Sequence, residues 1–258
     1  MNKSQSISIL VLSFIVLAML PSRGVAQDAA SLILEAKQVL EESQNANDMT
    51  GLMKSRTMFE RATADEQHEA LAYYYMGLAD YRMASMKPEK KHQLKYINQG
   101  IDALEKAIKI DENMTEGYAL LGSIMGWKSG LKPMQAMFLG PKSTNMVAKA
   151  KEMEPDNPRV TMIAAISDYN TPKMFGGDPE RAKEGFKKAA TLFEREEVAD
   201  PLMPAWGHEE TYAWLGQALV ADGAIEEARA AYEKALEINP EYGWVKFMLL
   251  PKLPSAAQ

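Results

Sequence analysis

The sequence predicts an all-α protein, a solenoid of stacked antiparallel helix pairs closed by a C-terminal capping helix over 241–251. Three observations predict it. A small residue, a large apolar residue four later and an alanine three after that recur five times along the chain, at Ser55/Phe59/Ala62, Gly100/Leu104/Ala107, Ser143/Val147/Ala150, Ala182/Phe186/Ala189 and Ala228/Tyr232/Ala235. That spacing puts all three residues on one face of a helix. A second pattern, an aromatic residue shortly before a glycine, precedes three of these at Tyr73/Gly77, Tyr118/Gly122 and Tyr212/Gly216. Finally, Pro and Gly cluster between the patterned segments, where helices end, rather than within them.

The first 26 residues stand apart. Lys3, an apolar run from Ile7 to Leu20, and Gly24-Val25-Ala26 ahead of Gln27 make the charged start, greasy centre and small-residue cut site of a secretory signal. Its removal leaves 258 minus 26, or 232 residues. Lys3 and Arg23 leave with it, so 27 basic residues face 35 acidic ones and the formal charge is −8. That sign disfavours nucleic acid, whose phosphates need clustered Lys and Arg. Cysteine is absent altogether, which excludes disulfides, thiol chemistry and a lipid on the first mature residue. The expected location is the periplasm, with secretion beyond it as second choice, and no stable membrane insertion once the signal is cut.

The helix pairs are expected at about 28–64, 67–110, 114–153, 158–194 and 207–238, within one domain spanning 27–258. In the second, the step from Gly77 to Ala107 is 30 residues against 19 from Gly216 to Ala235. Eleven extra residues are about three helical turns, so both helices lengthen in register. The tip of this long hairpin, SMKPEKKHQLK, gathers Lys87, Lys90, Lys91, His92 and Lys95, either as a solvated basic turn or as a docking point for an acidic partner. In the third pair the added segment is KSGLKPMQAMFLGPK. Gly130, Pro133, Gly140 and Pro141 deny it a long helix, while Met134, Met137, Phe138 and Leu139 are too apolar to dangle in water. It is expected to fold back, on its own repeat or over the inner groove as a lid.

In MFGGDPERA, Asp178 reads as an N-cap, Pro179 as the first helical residue and Gly176-Gly177 as the reversing turn. No apolar strand precedes it and no Lys-Ser or Lys-Thr pair follows, so it is punctuation and not a phosphate loop. Pro201 and Pro204 in ADPLMPAWGH forbid helix, and Trp206 is expected to staple the start of the last pair by packing on its neighbour. After Pro240, YGWVKFMLL reads as a closing helix whose Trp244, Phe247 and Met248 cover the end of the stack, with Glu241 and Lys246 in water.

The clearest unit, YAWLGQALVADGAIEEARAAYEKALEINP, resembles a tetratricopeptide repeat (TPR). Its Y-x-x-L-G-x-x-L, A-x-x-x-Y and P stand where that family has W-x-x-L-G-x-x-Y, A-x-x-x-F and P. The resemblance extends, as about five divergent repeats, over an exported bacterial chain and implies a right-handed superhelix. It also implies that the first helices of successive pairs line a concave groove holding a peptide or a segment of a partner. Projecting the faces away from the buried glycines gives Leu71, Tyr74, Leu78 and Tyr81, then Glu116, Ala119, Ser123 and Trp127. The fourth pair adds Arg159, Met162, Ile166 and Tyr169, and the fifth Glu210, Ala213, Gln217 and Val220. The candidate partner-binding residues are Tyr74, Tyr81, Trp127, Met137, Phe138, Arg159, Met162, Tyr169 and Asn170. Family grooves that clamp a terminal carboxylate present several Lys and Asn, where this one offers mainly Arg159 and Asn170.

Catalytic signals are lacking. The three histidines, His68, His92 and His208, show no metal-ligand spacing, no serine sits in G-x-S-x-G, and no cofactor fingerprint appears. Glu209 and Glu210 sit at a helix start, where carboxylates favour the dipole. Two functions follow from the pattern: a non-catalytic scaffold binding a protein or peptide in its groove, or a small-ligand or transport-associated binding protein with an enclosed pocket.

Overall fold

The computed structural model describes residues 28–254; the expected signal segment at 1–26 lies outside them. Among the described residues ten α-helices follow one another: α1 Ala29–Asn45, α2 Met49–Ala62, α3 Glu69–Ser85, α4 Lys90–Ile110, α5 Thr115–Leu131, α6 Ala136–Met153, α7 Pro158–Asn170, α8 Pro179–Phe193, α9 His208–Ala221 and α10 Ile225–Ile238. No strand occurs among the described residues, and no helix there is long and apolar enough to cross a membrane. Consecutive helices pair as α1/α2, α3/α4, α5/α6, α7/α8 and α9/α10, and each pair packs on the next. The architecture is an all-α solenoid.

Small residues set the approach within each pair. A Cβ on Gly77 would come within 2.5 Å of Leu104, on Gly122 within 2.6 Å of Val147, and on Gly216 within 2.2 Å of the Tyr232 ring. The recurring alanines 62, 107, 150, 189 and 235 are all buried, with Phe59, Phe186 and Tyr232 filling the space beside them. Tight backbone approach with one large apolar residue per pair is what close packing demands of such a stack.

Local chemistry fixes the helix ends. Asp178 accepts from the amides of Glu180 and Arg181, Pro179 opens α8, and Gly176 takes φ of 95°, a left-handed turn that suits glycine. The long second hairpin turns at residues 86–89, so Lys87 lies in the turn while Lys90, Lys91 and Lys95 fall on the first turns of α4.

Two expectations fail. Residues 130–141 do not fold back: α5 runs to Leu131, a 3-10 turn spans Pro133–Gln135, and α6 begins at Ala136 with Pro141 inside it. Pro141 lies in the second turn of α6, next to the solvent-exposed hairpin tip, where water can take the carbonyl that a proline leaves unbonded. The C-terminal turn, a π-helix over Trp244–Leu249, covers the end of the stack through Trp244 and Val245, with Tyr242 just before it, against Ala213 and Tyr232; Phe247 and Met248, expected to share in this, are exposed.

The stack also curls until its ends meet. Arg82 of α3 donates to Glu210 of α9 at 2.6 Å, and Asn239 donates to Asn45, at the end of α1, at 3.2 Å. Gly243 sits so close to the Asn45 carbonyl that a Cβ would lie 2.4 Å from it.

Candidate functional site: a filled groove and an aromatic rim

The inner faces of α3, α5 and α7 carry the residues that the helical projection assigns to them, but the space they enclose is occupied. The segment between α8 and α9, residues 194–207, runs across it as a strap. Lys37 of α1 donates to the carbonyls of Pro201 and Met203, the latter at 2.6 Å. Tyr75 donates its hydroxyl to the Leu202 carbonyl at 2.7 Å, and the Trp206 indole N–H donates to the Tyr74 hydroxyl at 2.9 Å. The Arg82 guanidinium lies over the Trp206 ring, 5.0 Å from its centroid. Burial drives the Lys37 pKa down to about 8.

Arg159 anchors the strap from α7. It donates to both oxygens of Glu196, to the Trp206 carbonyl and, at 3.4 Å, to Glu116 of α5. Burial works against its charge, but the bond to Glu196 and the surrounding carboxylates hold its pKa above the ordinary arginine value. Arg82 has the same balance with Glu210 and is likewise shifted upward. Glu210, in the first turn of α9, thus also serves a buried cross-stack ion pair.

Three predicted partner-binding residues are consequently corrected. Tyr74 and Met162 are fully buried, Met162 beside Gly207, and Arg159 is 3% exposed and saturated by the strap. The Trp206 carbonyl meets Arg159 of the neighbouring fourth pair, while its indole reaches past that pair to Tyr74 and Arg82 on α3 of the second. Met137 and Phe138 form no lid; they project from the tip of the third hairpin. Asn170 is exposed, and its amide donates back to the Ile166 carbonyl at 2.9 Å.

The other three candidates, Tyr81, Trp127 and Tyr169, are half-buried and belong to an aromatic rim. Tyr81 and Trp127 meet edge to face at 5.7 Å, and the Tyr81 hydroxyl bonds Ser123. Tyr169 meets Trp214 at 6.1 Å, Trp214 meets Trp244 at 5.2 Å, and Trp244 meets Tyr242 at 6.3 Å. Burial foremost, with Glu210 adding to it, pushes the Tyr242 hydroxyl upward. Trp127 and Tyr169 stand on α5 and α7, which pack together. Two donors in this region, Arg82 Nε and Trp214 Nε1, are buried without an acceptor.

Sequence reasoning missed Trp214 and Trp244 as rim members, since neither lies on the projected face. It also missed Met174 and Phe175, which stand exposed on a 3-10 turn, Lys173–Phe175, at the tip of the fourth hairpin. Their signal was present: two large apolar residues beside the glycines of a turn.

A family model of the tetratricopeptide repeat matches residues 209–242, the α9/α10 pair. That pair is a tetratricopeptide repeat. Among solved structures, the chain is similar to the HusA haemophore from Porphyromonas gingivalis, at 21% identity and a TM-score of 0.65, covering 77% of this chain and 96% of that one. It is similar also to a thermophilic TPR protein from Thermus thermophilus, at 16% identity and a TM-score of 0.57, covering 84% of this chain and 97% of that one. These likenesses concern the fold. No curated protein matches the sequence.

Proposed function

We propose that this protein is a non-catalytic TPR scaffold that binds a protein or peptide partner at its aromatic rim, not along its concave groove. The observation that carries the reading is the strap: with residues 194–207 hydrogen-bonded across α1, α3 and α7, the inner surface that TPR grooves offer is taken by the chain itself. What stays half-open is the run of tyrosines and tryptophans, the residue types that dominate binding hot spots because they bring large contact area with few rotatable bonds. We place the protein in the periplasm, on the strength of the signal-like first 26 residues and the lack of cysteine. Neither nucleic acid nor a cofactor is part of the reading.

A second reading, a small-ligand binding protein, draws on the fold likeness to a haemophore and on the two unpaired donors, Arg82 Nε and Trp214 Nε1, beside the rim. Replacing Tyr81, Trp127 and Tyr169 by Ala and quantifying polypeptides recovered from a cell-envelope pulldown tests the first. Unchanged recovery by a folded variant sinks it. Native mass spectrometry of the protein from its own host separates the two readings, by a co-purifying polypeptide or a retained small molecule.

A further inference from the structure

We infer that the hairpin tips of the second, third and fourth pairs form a docking face for an anionic lipid surface. Hairpins three and four end in the same device. Each turns through a short 3-10 segment, Pro133–Gln135 and Lys173–Phe175, with a lysine beside the turn, Lys132 in one and Lys173 within the other. Each presents a methionine and a phenylalanine to solvent: Met134 is 94% exposed, Met137 74% and Phe138 67%, and across the stack Met174 is 82% and Phe175 72%. Since α5 and α7 pack side by side and both run toward their tips, the two devices stand on one edge of the solenoid.

The exposure is built in rather than loose. Arg181 donates to both oxygens of Asp168, at 2.7 and 2.6 Å, and to the Gly176 carbonyl at 2.8 Å. Gly177 leaves no room for a Cβ against the Thr171 carbonyl, so the turn carrying Met174 and Phe175 is held at both ends.

Beside these tips lies a basic recess of about 550 Å³ between the start of α4 and the end of α5. Lys90, Lys91, Lys95 and Lys132 line it, with Leu94 among them. Lys132 joins the recess to the apolar tip, two residues from Met134. The nearby acids are already engaged, Asp168 and Asp178 by Arg181 and Glu89 by His92. A chain of net negative charge thus concentrates positive charge and protruding apolar side chains on one edge.

The shape selects the occupant. Apolar groups that protrude from separate rigid tips need a medium that deforms around them, whereas a folded partner needs matching pockets for each. A lipid headgroup layer takes scattered Met and Phe side chains into its acyl boundary while lysines meet its phosphates. Docking is peripheral, and it is independent of the partner proposed for the aromatic rim.

The test is co-sedimentation of the chain, as recovered from the soluble fraction of expressing cells, with vesicles of phosphatidylcholine alone or of phosphatidylcholine and phosphatidylglycerol in equal parts. We expect retention on the anionic vesicles only, released by salt. Each of Lys90→Gln, Lys91→Gln and Lys95→Gln should weaken it about fivefold, and Phe138→Ser with Phe175→Ser should abolish it with helicity unchanged. Phe138→Trp should add a blue-shifted emission component on anionic vesicles. Equal retention on neutral vesicles, no retention at all, or retention indifferent to both sets of changes overturns the proposal. Preference for an immobilised acidic peptide over vesicles overturns it as well.

Discussion

Trp206 and Tyr74, 132 residues apart in the chain, share a hydrogen bond of 2.9 Å that closes the inside of the solenoid. Removing the indole tests the strap. Trp206→Phe should cost about 1 kcal/mol, the net worth of one hydrogen bond, and Trp206→Ala about 3 kcal/mol. Denaturant unfolding measures both. Limited proteolysis should show new cleavage near Pro201 in the alanine variant first.

Gly216 is the tightest of the three helix-crossing glycines against its neighbouring ring. Gly216→Leu should overpack the last pair and cost roughly 1–3 kcal/mol, read as a lowered thermal midpoint. An unchanged midpoint would show that α9 and α10 do not depend on contact at this point.

The Arg82–Glu210 pair is buried on both sides, with side chains 7% and 5% exposed. Glu210→Ala strands a guanidinium in the interior and should destabilise by about 3–5 kcal/mol. Arg82→Met combined with Glu210→Leu should recover most of that loss, because two apolar residues need no partner. A double-mutant cycle by chemical denaturation provides the measurement.

Asp80 gives the protein a pH dependence of its own. It is fully buried, and burial pushes its pKa up to about 6 although Arg56 donates to both its oxygens, at 2.8 and 3.0 Å. Glu60 raises it further, and Lys95 lowers it. The native carboxyl holds its proton more tightly than the unfolded chain, whose value is 3.8. Stability from this group is therefore fully present below pH 3.8 and is lost as pH rises to about 6. The thermal midpoint of the wild type, compared with Asp80→Asn across this window, should fall relative to the variant as pH increases. A parallel pair of curves would refute it.

The helices and their crossings were legible because contact within a pair is local. Gly216 and Tyr232 are 16 positions apart in the sequence, and only a residue without a side chain fits where a ring passes at that distance. The inner face was legible in register for the same reason: Tyr74, Tyr81, Trp127 and Tyr169 all fall where helical spacing sends them. Their exposure was not. Periodicity tells which side of a helix turns inward, but nothing about what lies over it, and the strap bonds to α1 and α3 over separations of more than 120 residues that leave no repeating trace. The tip of the third hairpin misled in a different way. Pro133 and Pro141 suggested an irregular loop, yet one occupies the first position of a 3-10 turn, where no amide is needed, and the other the second turn of α6, beside the exposed tip, where water can take the carbonyl left unbonded.

The meeting of Asn45 with Asn239 and Gly243 sets a rule for how this molecule varies and folds. Open arrays fold in pieces and can gain or shed a unit at either terminus. Here the end of α1 touches the turn after α10, so each end has a contact that an open array lacks, and fraying at either terminus should be reduced. An added hairpin would pry apart that seam. Lengthening at the outward tips, as α3 and α4 have done, is the change in size that leaves the ring intact.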